Sequence, residues 1–187
     1  MEQVMNHLSK HRERPLFIAI EGHSAAGKST LANRIAEAKD EVTIIHTDDF
    51  YRVMPEAERF HLTPEEGYER YYDWQRLKDV LKTLGTGRLA EYKRYDWSAN
   101  KLGETVNIKP EGIIIVEGCY SLRPELCPFY GLRFYVEAPS TLRLERQRNR
   151  DDNSVAWIAR WHAAESYHFI KNAPEKYADL VLSEGAA

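Results

Sequence analysis

Residues 22–30 read GHSAAGKST, and Gly22, Gly27, Lys28 and Ser29 fit the spacing G-x-x-x-x-G-K-[ST]. The chemistry such a stretch offers is the capture of a polyphosphate. Backbone without a side chain at Gly22 and Gly27 lets consecutive N–H groups turn inward on an anion. A helix starting near Lys28 adds the positive end of its dipole. The Lys28 ammonium would reach the β- and γ-phosphates, and the Ser29 hydroxyl would hold Mg²⁺. His23, Ser24, Ala25 and Ala26 supply the main chain between the glycines, and Thr30 follows. A glycine-rich turn capping a helix is the plainer alternative, and the flanking residues decide against it. PLFIAIE (15–21) is an apolar run of strand length, and STLANRIAEA (29–38) places Leu31, Ile35 and Ala38 at helical spacing. Strand, loop and helix together predict binding of a nucleoside triphosphate.

Three further groups of residues carry charge suited to that ligand. GIIIVEG (112–118) ends an apolar strand on Glu117, where a carboxylate can hold Mg²⁺ directly or through water, or simply form a strand-end turn. HTDDFYR (46–52) sets Asp48 and Asp49 at another strand tip. Successive residues there point different ways, so one of the two can serve as general base beside an acceptor hydroxyl, and Asp48 is assigned. The alternative is that both acids cap a turn. In TLRLERQRNRD, Arg143, Arg146 and Arg150 recur at i, i+3 and i+7 and share a helix face. That face could neutralise a transferring phosphoryl group or could merely be solvated.

The elements that must position these groups are short β-rich runs at 41–46, 112–118, 132–138 and 178–183, alternating with helical patterns at 73–85, 141–150 and 157–170. This order predicts an α/β fold, a mostly parallel sheet with helices on both faces, in one domain spanning 1–187. Residues 86–110 break the pattern and predict a hairpin-like insertion on the substrate side, and 141–155 a lid. A net charge of −3 and a pI near 6.2 argue against a general nucleic-acid binder. Cys119 and Cys127 lack metal-ligand spacing, no apolar stretch reaches membrane-spanning length, and the first fourteen residues lack the apolar core of a signal peptide. The expectation is a cytoplasmic protein acting on a small molecule, without nucleic-acid or membrane partners, with homo-oligomerisation left open. A GTPase switch is disfavoured because NKLG (100–103) lacks the aspartate of a guanine-reading N-K-x-D.

GHSAAGKST, HTDDFYR, YYDW (71–74), YDW (95–97), IVEG (115–118), RLERQRNRD (143–151) and PEKYADLVL (174–182) together resemble the uridine kinase-like branch of the phosphoribulokinase/uridine kinase family over about residues 15–183. The resemblance implies a P-loop NTPase-type three-layer sandwich with an arginine-bearing lid helix, using ATP and Mg²⁺. It implies that Asp48 is the general base, Asp73 contacts ribose hydroxyls, Glu117 assists the metal, and Arg146 and Arg150 are lid arginines. Tyr51, Tyr95, Trp97, Asn100 and Arg143 join Asp48 and Asp73 as the expected acceptor-side residues. Two departures stand out. Ala25 and Ala26 replace a glycine and a serine, which a main-chain cradle should tolerate. Asn100 replaces the base-recognising histidine. Nicotinamide riboside kinases, a sister group, share the D-D-F form and an aromatic-rich late helix, here Trp157, Trp161 and Tyr167, for which core packing is the plainer role. The implied acceptor is a nucleoside-like molecule, uridine or cytidine first, with nicotinamide riboside or a pantothenate-type compound as the alternative.

Overall fold

The computed structural model describes residues 1–148 and 155–183. In chain order these form α1 (Glu2–Lys10), β1 (Leu16–Glu21), α2 (Lys28–Ala38), β2 (Val42–His46), a 3-10 turn (Thr47–Phe50), α3 (Glu56–Phe60), α4 (Pro64–Arg70) and α5 (Trp74–Gly85). There follow β3 (Ala90–Asp96), β4 (Lys101–Ile108), β5 (Ile113–Glu117), β6 (Leu132–Glu137), α6 (Ser140–Arg148), α7 (Val155–Asn172) and β7 (Leu180–Ser183).

β1 is buried along its whole length, which requires neighbours on both edges and layers on both faces. The sheet supplies them in the order β2-β5-β1-β6-β7, every pair parallel. Alternation along β1 divides the core. Ile18 and Ile20 pack with Ile113, Ile115 and Phe134 against Val4 and Leu8 of α1 and Leu31 and Ile35 of α2. Phe17 and Ala19 pack with Ile45, Ile114 and Val116 against Leu77, Leu81 and Leu84 of α5 and Tyr92 and Ile108 of the insertion. The three layers expected from sequence are therefore present. The insertion is an antiparallel hairpin of β3 and β4.

Two parts escaped the pattern. α1 and its N-cap turn Met1, Val4, Met5 and Leu8, spaced i, i+3, i+4 and i+7, toward the sheet, a helical spacing that runs for only two turns. Residues 47–72, which lie between the run at 41–46 and the helical pattern at 73–85, hold the 3-10 turn, α3 and α4. The start of α4 did have a signal: Thr63 and Glu66 form a reciprocal capping box with Pro64 in the first turn. Arg150 and residues 151–154 of the expected lid lie outside the described residues.

Because the chain passes from β1 over β5 to β2 and later returns to β6, the strand ends at Gly22, Thr47, Gly118 and Ala138 all open on one edge of the sheet. Gly118 sits there at φ 137°, and a Cβ would collide with the hydroxyl of Thr47, itself 3% exposed and unable to move aside. Gly118→Ala is expected to destabilise the fold by roughly 1–3 kcal/mol. A urea denaturation midpoint equal to that of the wild type would refute this account of the strand end.

Candidate active site

At that edge β1 runs into the glycine loop. A Cβ on Gly22 would strike the Val136 carbonyl of β6, so only glycine lets the loop leave the sheet here. Gly27 follows at φ 102° and hands the chain to α2. Ala25 also stands in the left-handed region, at φ 62°, which glycine enters without steric cost and alanine does not. The cradle thus accommodates the alanine, at the cost of local strain.

Lys28 is buried, and its Nζ donates to the carbonyls of Gly22 and His23, each at 2.9 Å. Burial works against its charge, but Cys119, Glu165, Glu117 and Asp48 around it more than compensate and raise its pKa. The Ser29 hydroxyl donates to Glu117 Oε1 at 3.1 Å. The two groups expected to hold Mg²⁺ are therefore neighbours, and both offer the hard oxygen ligands that ion takes. The sheet register sets Glu117 beside Ile20 of β1 and His46 of β2. His46 Nδ1 lies 2.6 Å from the same Oε1. Burial would raise the Glu117 pKa, but the His46 hydrogen bond and Lys28 hold it below the usual carboxylate range. The same bond raises the pKa of His46.

Asp48 faces this group across a cleft of about 260 Å³, whose wall includes Ser24, Lys28, Ser29, Thr30, Asp48, Tyr72, Trp97, Glu117, Cys119, Gln147, Trp157 and Trp161. The carboxyl keeps a face open to the cleft. Protein encloses its other sides and pushes its pKa up, while the Tyr72 hydroxyl, donating to Oδ1 at 2.6 Å, pulls it down. Asp49 turns the other way, accepting from Tyr92 at 2.7 Å and Arg94 at 3.3 Å, and so ties the hairpin to the 3-10 turn. A phosphate cradle, a metal-ligand pair and a lone carboxylate opposite them are the parts of a phosphoryl-transfer site.

Comparison with known proteins agrees. Residues 17–183 match the profile of the phosphoribulokinase / uridine kinase family. The chain belongs to this family. It is 30% identical to a uridine kinase of Borrelia duttonii over 179 residues, covering 90% of this chain and 86% of that one. It is 32% identical to a uridine kinase of Clostridium botulinum over 189 residues, covering 92% and 90%. The structure of a possible uridine kinase from Bacillus stearothermophilus has the same fold, with a TM-score of 0.72 at 23% identity, covering 96% of this chain and 99% of that one. The protein is thus a kinase, a phosphotransferase with an alcohol acceptor. Among the described residues no helix is long and apolar enough to cross a membrane.

Several expected site residues of this kinase stand elsewhere than the cleft wall. Asp73 caps α5, its Oδ1 accepting the Arg76 N–H at 3.3 Å with Arg52 3.6 Å away. Asn100 spends its side chain on the Tyr95 hydroxyl (2.8 Å) and the Met54 carbonyl (2.9 Å). Tyr51 is buried beneath Trp97, ring centroids 4.5 Å apart, with Arg59 over its other side. Arg143 and Arg146 part company despite their spacing. Arg146 reaches the Ala25 carbonyl at 3.2 Å. Arg143 bonds the Ala138 carbonyl and lines a second hollow, of about 480 Å³, with His23, Tyr135, Glu137, Pro139 and Ser183. Tyr72, His46, Gln147 and Glu165 carry roles that sequence reasoning missed, because each has its partner on another element.

Enclosure disfavours the Asp48 charge, and an asparagine keeps an oxygen for Tyr72. Asp48→Asn is therefore expected to leave the melting temperature unchanged or slightly raised at pH 7.5. A fall of more than about 4 °C, about 1 kcal/mol for a chain of this size, would contradict this reading.

Proposed function

We propose that this kinase transfers the γ-phosphoryl group of ATP to a primary hydroxyl of a small ribose-bearing acceptor, uridine or cytidine being the first candidates. The observation that carries this reading is Asp48 standing across one cleft from Lys28, Ser29 and Glu117. Tyr72 occupies Oδ1 and leaves Oδ2 to take the acceptor's proton. Lys28 brings positive charge to the phosphates, and Arg146 brings more from α6. Ser29 and Glu117 would hold Mg²⁺, which would supply positive charge against the charge developing in the transfer. The hollow beside His23 and Arg143, on the far side of the loop from Asp48, has room for the donor's nucleoside.

The acceptor side is aromatic rather than charged. Trp97, Trp157, Trp161 and Tyr72 line it, and Asp48 is the carboxylate among them. Such a wall suits a planar base better than a sugar phosphate or an organic acid. Relatives named uridine kinases, 30% and 32% identical, support a nucleoside. The engagement of Asn100 with Tyr95 and Met54 favours a second reading, nicotinamide riboside, since recognition then rests on ring faces rather than on the edge of a pyrimidine.

Below its pKa Asp48 holds a proton and cannot take another, and that pKa is raised. The acid limb of kcat/KM against pH should therefore lie above the ordinary aspartate range. Asp48→Asn should lower kcat roughly 10²–10³-fold with ATP affinity little changed. Damage from Asp49→Asn instead would show the pair to be misassigned.

Asp73 stands outside the cleft wall and uses Oδ1 as a cap, and its ribose role rests on the family resemblance, with Oδ2 of this part-exposed side chain as the atom left for a hydroxyl. Ribosides should be preferred over 2′-deoxyribosides by at least about tenfold in kcat/KM, and the preference should largely vanish in Asp73→Ala. Equal use of uridine and deoxyuridine by the wild type would remove Asp73 from the acceptor site.

A further inference from the structure

Behind the phosphate loop lies a carboxylate that the phosphoryl-transfer scheme does not use. Glu165, on α7, is 1% exposed. Its Oε1 accepts the Ser24 N–H at 2.6 Å, the Ser24 hydroxyl at 2.7 Å and the Cys119 thiol at 3.2 Å. The Ser24 oxygen in turn accepts the Trp161 indole N–H at 2.8 Å. Oε2 faces Nδ1 of His23 and Nδ1 of His162, each 3.5 Å away. Burial would neutralise this acid, yet His162, His23, Lys28 and Ser24 hold its pKa well below the usual glutamate range, so it is ionised at neutral pH.

A negative charge behind a cradle for anions opposes the ligand, and its support of the Lys28 charge is shared with Glu117 and Asp48, so electrostatics alone do not explain its presence. Its geometry does. The residue after Ser24 is Ala25, strained at φ 62°, and a non-glycine residue stays in that region only where its surroundings over-determine it. Arg146 grips the Ala25 carbonyl from one side. Glu165 grips both the amide and the hydroxyl of Ser24 from the other. We infer that Glu165 is a positioning residue for the phosphate loop: from α7 it fixes Ser24 and thereby holds the left-handed turn at Ala25 in the form that receives the donor's phosphates. This rests on residues 22–30 being the donor's phosphate loop.

Reach, not charge, is then the property that matters. Glu165→Asp keeps the charge but withdraws the carboxylate by one methylene, leaving Ser24 without its acceptor. Glu165→Gln loses the charge but keeps an oxygen in place. Binding of a non-hydrolysable ATP analogue with Mg²⁺, followed by calorimetry, should weaken at least about tenfold in Glu165→Asp and stay within about threefold of wild type in Glu165→Gln. With Ala25→Gly added, the strain is gone and Glu165→Asp should recover at least about threefold, a coupling that a general loss of stability would not produce. Full affinity in Glu165→Asp, a tenfold loss in Glu165→Gln or no recovery on adding Ala25→Gly would each overturn the inference. Should Glu165→Asp not fold, the Glu165→Gln result decides. Lys28→Ala tests the underlying assignment separately. Undiminished binding there would show that the loop does not hold the phosphates, whatever the Glu165 variants do.

Discussion

The ammonium of Lys28 and the acids around it set the conditions for the rest of the site. Buried alone, that charge would be lost. With Cys119, Glu165, Glu117 and Asp48 about it, the charged form is favoured instead. The three carboxylates do not share one fate. His46 and Ser29 keep Glu117 ionised, and His162, His23 and Ser24 do the same for Glu165. Asp48 has Tyr72 as its one hydrogen-bond donor among the described residues, and its pKa is raised. Neighbouring acids with proton affinities driven apart can divide structural, metal-holding and proton-accepting work among them.

Such a concentration of like charge is tolerable only where several chain segments converge. A parallel sheet with helical crossovers provides the place, because every strand presents its carboxyl end on the same edge. Glu21 and the phosphate loop come from β1, the 3-10 turn with Asp48 from β2, and Glu117 and Cys119 from β5. α2 and α5 cover the two faces of the sheet below this edge, so the side chains above it are free for polar work. Tyr51, Tyr72, Tyr95, Tyr120 and Trp161 form a separate aromatic cluster there, of which Tyr72 and Trp161 reach the cleft wall and donate a hydroxyl to Asp48 and an indole N–H to Ser24. α7 is tied to the sheet by His168, which lies 2.7 Å from Glu21 with both side chains fully buried. That tie fixes the height at which Trp161 and Glu165 meet the loop.

Much of this was legible in the chain itself. The run LFIAIE, the two glycines and the spacing of Leu31 and Ile35 specify strand, loop and helix through contacts a few residues apart. The acids after β2 and at the end of β5 could be placed at strand tips for the same reason. Short amphipathic pieces were not legible. Met1, Val4, Met5 and Leu8 keep helical spacing for only two turns, and in residues 47–72 capping rather than periodicity carries the signal.

Local periodicity thus determined the elements, their order and the residues at the strand ends, since backbone hydrogen bonding and burial of one face act over one or two turns. Only the tertiary structure decided which of those residues meet. It set Asp48 toward the cleft and Asp49 toward Tyr92. It sent Arg143 and Arg146 to different sides of the loop although they share a helix, and it gave Asn100 to Tyr95 and Met54. It also brought Glu165, 141 residues away in the chain, onto the amide of Ser24. These outcomes depend on strand order, on the depth of α7 against the sheet and on the side-chain direction each contact allows. No pattern along the chain carries that information, because the partners are neighbours only in space.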